Sequence, residues 1–297
     1  MPLTELLDPE ILAYAVSLLL AIGGLPLLVA TLRRLRTQGL GLPETGAWPA
    51  VGWGREQGGL LFVLIVFVLQ NALHMAFGGL TAWLTGPEGH LPLSPGGRMA
   101  TLSLVTVAHW IVACGLVLGW LIATGRARAE TFGLTPRRLL RSAGRGAVLL
   151  LAAEPLIIAT LLAGAALHAW IVEEPPPVHP VLQSLGEHPQ AMHIVVLFLT
   201  AGVLIPFFEE LFFRGILQTT LMRLGNATAA ITIASVLFGL VHMGVPTSVL
   251  PLTIFGWAMG YAFYRTGNLA SCVVMHSVFN LMSLSMALLP HMAGRTP

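Results

Sequence analysis

No lysine occurs anywhere in the 297 residues, and Asp8 is the only aspartate. Charged residues make up 9% of the chain, where a soluble domain carries about 25%. A single aspartate excludes a paired-aspartate protease. Only two cysteines are present, Cys114 and Cys272, and they form no CxxC pair. That argues against a disulfide framework and against a cysteine-ligated zinc site. No HExxH and no GxSG occur, so zinc-protease and rhomboid-like serine chemistry find no support. The net charge of +2 is no footprint for nucleic acid, because the arginines other than Arg214 fall between apolar spans. The acidic start (Glu5, Asp8, Glu10), with no cleavage site after the first apolar run, predicts no cleavable signal peptide.

What is there is apolar. Hydrophobic residues reach 56% and the mean hydropathy is +0.82. Solid runs such as Leu60 to Leu69 lack the alternation of a membrane β-barrel. The fold class expected is therefore all-α: a polytopic membrane protein of about eight helices, near residues 11–32, 59–84, 100–124, 147–172, 192–222, 228–243, 249–264 and 269–289. Arg33, Arg34 and Arg36 follow the first span. Arg126, Arg128, Arg137, Arg138, Arg141 and Arg145 precede the fourth, Arg223 follows the fifth and Arg265 the seventh. Alternating crossings put all of these on one face, opposite Arg98 and Arg295. The positive-inside rule makes that face cytoplasmic and both termini external. The proline-rich loop 173–190 then separates an accessory four-helix half, 1–172, from a catalytic membrane domain, 191–290. Thr131 to Pro136 reads as an amphipathic connector. Trp48, Trp53, Trp83 and Trp170 read as interfacial anchors. No internal repeat is visible, which weighs against an inverted-repeat transporter.

The fifth span carries Glu209, Glu210 and Arg214 at membrane depth. Such charges are costly there, face cavities and have functions. Glu210 and Arg214 are four apart and stack on one helix face. Glu209 is turned about 100° away and is free to face elsewhere. Pro206 just before them should loosen the helix. The sixth span offers Phe238 and His242 at the same spacing, and the eighth offers His276 and Asn280. Counted at 1.5 Å per residue from the basic face, these groups sit roughly 11–20 Å deep and overlap near the midplane. The sixth span is also too short to cross a core of about 30 Å. It should end near His242 and leave Gly244 to Thr247 as irregular backbone, which is tolerated only inside protein or beside a wet cavity.

A carboxylate and an imidazole together can orient and deprotonate a water. A second histidine and an asparagine can donate to a developing oxyanion. Those parts suffice to hydrolyse an amide without a covalent intermediate. Glu209, Glu210, His242 and His276 could instead bind zinc, while a metal-free site needs no cofactor. Phe238 reads as packing that shields the site. His74, His109 and His168 read as helix-packing or interfacial histidines. Glu154, beside Pro155, is either a supporting acid or an interfacial one.

These motifs carry a resemblance. Glu209-Glu210 with Arg214 is similar to the EExxxR motif of the CAAX prenyl protease and bacteriocin-processing family of intramembrane glutamate endopeptidases. Phe238 to His242 resembles its FxxxH motif, and His276 to Asn280 its HxxxN motif. Gly260 to Leu269 resembles the turn before the last motif. The likeness spans roughly residues 190–290. It implies eight membrane helices and endopeptidase activity. Glu209 and His242 would activate water, His276 and Asn280 would form the oxyanion hole, and Glu210 and Arg214 would support them.

The substrate expected is a membrane-associated protein or peptide, prenylated or not, cleaved near its C-terminus or leader. The lysine-free, Arg-, Ala-, Gly- and Leu-rich composition suggests a GC-rich prokaryotic gene, hence the inner membrane. The competing class is a non-proteolytic membrane scaffold or immunity factor with the same fold. A transporter would need charge along both halves, which the first half lacks.

Overall fold

A computed structural model describes residues 9–41, 59–85, 90, 93–125, 128–134, 136, 139–177, 182 and 191–292. Glu5, Asp8, Trp48, Trp53, the His74 side chain, Arg126, Arg137, Arg138, Arg295 and most of the 173–190 loop lie outside the described residues.

Eight main helices account for the described chain, without a strand among the described residues. They are α1 (Pro9–Gln38), α2 (Gly59–Thr85), α3 (Pro95–Ala123), α4 (Leu139–Val172), α5 (191–224, in five consecutive helical segments), α6 (Ala227–Leu240), α7 (Val249–Thr266) and α8 (Ala270–Met292). Among the described residues, five helical runs, in α1, α3, α4, α5 and α8, are long and apolar enough to cross a membrane. The protein is a multi-pass helical membrane protein. Apolar side chains cover its outside, Leu19 and Trp170 being 69% and 79% exposed, as a surface facing lipid requires.

Two boundaries differ from the hydropathy reading. The first span was expected over 11–32 and the fourth over 147–172, with the arginines in loops. Instead α1 runs on to Gln38 and α4 begins at Leu139, so Arg33, Arg34, Arg36, Arg141 and Arg145 are helical. Hydropathy locates what lipid can solvate, whereas arginine is a good helix former and lets the helix run on into the headgroups.

α4 is the central strut, packing against α1, α7 and α8. Where α4 crosses α8, Gly146 abuts the Ser271 carbonyl, and any Cβ there would collide with backbone. We expect Gly146→Leu to force the two helices apart and cost upwards of about 2 kcal/mol. Gly115→Ala in α3 has open space at its Cβ position and should be neutral. Unfolding in mixed micelles measures both.

The connector is more than amphipathic. It forms a 3-10 turn, Ala129–Phe132, whose Phe132 ring is fully buried in the core. Gly133 then turns with φ +74° and accepts a hydrogen bond from Leu269 N–H at 3.0 Å. The segment thus ties the start of α8 to the underside of α5. The core it plugs into joins Leu121 of α3, Ala153 and Ile157 of α4, Phe212 and Phe213 of α5, Phe238 of α6, Phe255 of α7 and Met275 of α8.

Candidate active site

The helix that carries both glutamates is not a regular α-helix. Two π segments, Thr200–Leu204 and Leu211–Gln218, flank the α turn Ile205–Glu210. Proline has no N–H to give and crowds the preceding turn. The wider π turn just before Pro206 absorbs that defect, with Ile205 N–H bonded back to the Thr200 carbonyl. Such bulges recur at functional sites. In the second, the Thr219 hydroxyl donates to the Arg214 carbonyl five residues back, at 2.9 Å.

Glu210 is the hub. Its Oε1 accepts from Arg214 Nη1 at 2.9 Å and from His276 Nδ1 at 2.9 Å. Both members of the Glu210–Arg214 pair are fully buried. Further hydrogen bonds lower the cost of burying such a pair, although Arg214 Nε finds no hydrogen-bond partner. Arg214 Nη2 donates to the Gly256 carbonyl at 3.0 Å, and one turn on Gln218 Nε2 donates to the Gly260 carbonyl at 3.0 Å. Gly256 and Gly260 form a GxxxG pair, whose bare backbone lets polar side chains of α5 reach α7. The Phe238 ring lies 4.7 Å from the Arg214 guanidinium carbon, a cation–π contact. Glu210 Oε2 has no hydrogen-bond partner.

Glu209 differs. Its side chain keeps 14% exposure, and its Oε2 lies 3.7 Å from His276 Nε2. His242 also counts among its charged or titratable neighbours. α6 stops at Leu240, short of the expected end near His242, and the chain turns through 241–245, so His242 sits beyond the helix. There Nδ1 lies 2.8 Å from the Phe238 carbonyl, one of the carbonyls that a helix end leaves without an intrahelical partner. A carbonyl can only accept, so Nδ1 carries the proton. In the neutral ring Nε2 then keeps its lone pair. Phe238 packs between the imidazoles, with ring centroids 5.0 Å from His242 and 5.5 Å from His276. Phe255 closes the other side of His276, edge-on at 5.8 Å.

Asn280 lies one turn beyond His276 on α8. Its Nδ2 donates to the Ala201 carbonyl at 2.8 Å, inside the first π segment. One amide hydrogen and Oδ1 remain. Asn280 therefore joins α8 to the irregular part of α5, a link that its spacing from His276 does not reveal.

All seven residues singled out in the sequence thus gather around one junction of α5, α6 and α8. Gln218, Gly256 and Phe255 were missed, and Gly260 was noted only as the start of the turn before the last motif. The stripe Glu210, Arg214, Gln218 at steps of four and the GxxxG of α7 were the available signals. Among the described residues, no three His, Cys, Asp or Glu side chains are grouped as a metal ion would need. Glu154 is buried in the middle of α4, its Oε1 without a hydrogen-bond partner. His109 is buried and packs against Phe77 and Trp110, a helix-packing histidine. Cys114 and Cys272 are buried free thiols.

Comparison with protein families points to the same region. Residues 191–282 match the family described as Type II CAAX prenyl endopeptidase Rce1-like. The UPF0177 protein YxdF of Lactococcus lactis is 32% identical over 80 residues, which is 27% of this chain and 44% of that protein. The chain thus matches less than half the length of this curated relative. No solved structure matches the chain. The likeness to Rce1-like type II CAAX prenyl endopeptidases therefore lies in the four helices that build the site.

Proposed function

We propose that the protein is an intramembrane endopeptidase that hydrolyses a peptide bond by activating water between Glu209 and His242. The observation that carries this is the division of labour between adjacent carboxylates. Glu210 is committed to Arg214 and His276 and is sealed from water. Glu209, beside the same imidazole, retains exposure.

In this reading water adds to the scissile carbonyl while Glu209 takes its proton. His242 Nε2, its tautomer fixed through Phe238, orients the water. His276 Nε2 and the remaining Asn280 N–H donate to the oxyanion. In that role His276 needs a proton on Nε2 as well as on Nδ1. Collapse of the adduct breaks the C–N bond, and the proton held by Glu209 passes to the leaving amine. Helices 191–290 do the chemistry, and residues 1–172 are accessory. The basic helix ends face the cytoplasm of a prokaryotic inner membrane. The substrate is a membrane-associated protein or leader peptide, with or without a prenyl group, held at the bilayer.

Purified protein incubated with a quenched peptide library, with and without chelator, tests the reading. Cleavage that survives chelation is expected. Cleavage lost on chelation and restored by zinc would move Glu209, Glu210, His242 and His276 into ligand roles. No cleavage of any peptide, prenylated or plain, would favour a scaffold. Asn280→Ala should lower kcat by about 10²–10³-fold with little change in KM, as loss of one oxyanion donor does.

A further inference from the structure

The proposed chemistry uses one arginine of fifteen, and four of the others converge. A cavity of about 400 Å³ lies where the ends of α1, α4 and α7 meet. It is lined by Arg34 of α1, Arg141 and Arg145 of α4, and Arg265 of α7, together with Val148 and Leu149. No carboxylate lines it among the described residues. Arg265 Nη1 also donates to the Leu40 carbonyl at 3.2 Å, which fixes the end of α1 against α7 and gives the cavity its wall.

The position matters as much as the charge. Arg34 follows the apolar stretch of α1, Arg141 and Arg145 precede that of α4, and Arg265 lies in the last turn of α7. All four therefore sit where hydrocarbon gives way to headgroups. Beside the cavity α4 turns bare apolar surface outwards, Leu140 being 86% and Val148 53% exposed. A cationic cup opening onto a greasy flank suits a molecule with an anionic head and an acyl tail. Guanidinium forks match phosphate oxygens in pairs, and basic pockets between membrane helices bind lipid headgroups.

We propose that this cavity binds the phosphate headgroup of an anionic phospholipid, held chiefly by Arg34 and Arg141. The bound lipid joins α1 and α4 to α7, and so fastens the accessory helices to those that build the active site. The proposal does not depend on the peptidase reading, because its readout is lipid retention.

Native mass spectrometry of the full-length protein in detergent tests it, with dioctanoyl phosphatidylglycerol, dioctanoyl phosphatidylcholine and inorganic phosphate as probes. Wild type should retain one phosphatidylglycerol at concentrations where phosphatidylcholine washes off. Arg141→Gln with Arg145→Gln should weaken retention at least about tenfold. Arg33→Gln with Arg36→Gln, which removes the same charge from outside the cavity lining, should change it less than about twofold. Gly144→Leu adds a side chain to the cavity lining and removes no arginine. Its first added atom meets nothing within 4 Å, so the variant should fold and should weaken lipid retention as well. Equal loss in the control pair, equal retention of the two lipids, retention unchanged by Gly144→Leu, or displacement by inorganic phosphate at matched concentration would each overturn the assignment.

Discussion

Glu209→Gln should abolish peptide hydrolysis, lowering kcat by about 10²–10⁴-fold, while leaving the protein folded. Glutamine keeps the shape and can still hold a water, but it cannot take the proton. Glu209 makes no hydrogen bond to the Glu210–Arg214 pair and retains 14% exposure, so the substitution leaves no buried charge without its partner. Unfolding of the variant in mixed micelles should therefore track wild type. The same change at Glu210 should act differently. Its Oε1 anchors both Arg214 and His276, so activity and stability should fall together. Measuring both quantities in both variants separates the proton acceptor from the hub.

The second large effect concerns the hub itself. Arg214→Met strands a fully buried carboxylate and should cost about 3–5 kcal/mol of stability. It also removes the donor to the Gly256 carbonyl and the cation under the Phe238 ring. Adding Glu210→Leu to Arg214→Met should restore much of that stability, because a well-packed apolar pair is often as stable as a buried ion pair. Activity should not return. His276 would have lost the acceptor that orients its Nδ1, and positioning errors of about 1 Å are costly to catalysis. Denaturant titration combined with turnover reads out both halves. Recovery of turnover in the double variant would show that the ion pair is structural filler with no bearing on His276.

Much of this was legible in the sequence because charge in an apolar run is so costly. Glu209, Glu210 and Arg214 could not be missed, and steps of four placed Arg214 beside Glu210. The brevity of the sixth span put its end near His242, and α6 in fact stops two residues earlier, at Leu240. What the sequence hid was backbone detail. Nothing in Thr200 to Leu204 announces a π turn except Pro206 further on, and hydropathy is blind to a change from 3.6 residues per turn. The link from Asn280 to the Ala201 carbonyl depends on that turn, so it was out of reach. The helical arginines of α1 and α4 were hidden for a different reason. A scale built on transfer to lipid stops at the first charge, while the helix does not. Gln218 was within reach, since it continues the stripe of Glu210 and Arg214, but an uncharged amide draws less notice than an acid.

The most direct test follows the oxygen. Wild-type protein should turn over a susceptible peptide many times in water enriched in ¹⁸O, and the protein should then be digested and analysed by mass spectrometry. If Glu209 acts on water, the new C-terminal carboxylate of the product carries ¹⁸O and the Glu209 carboxylate stays unlabelled. Label appearing in Glu209 would mean that the carboxylate attacks the peptide itself through an anhydride, and would contradict the water-activation account.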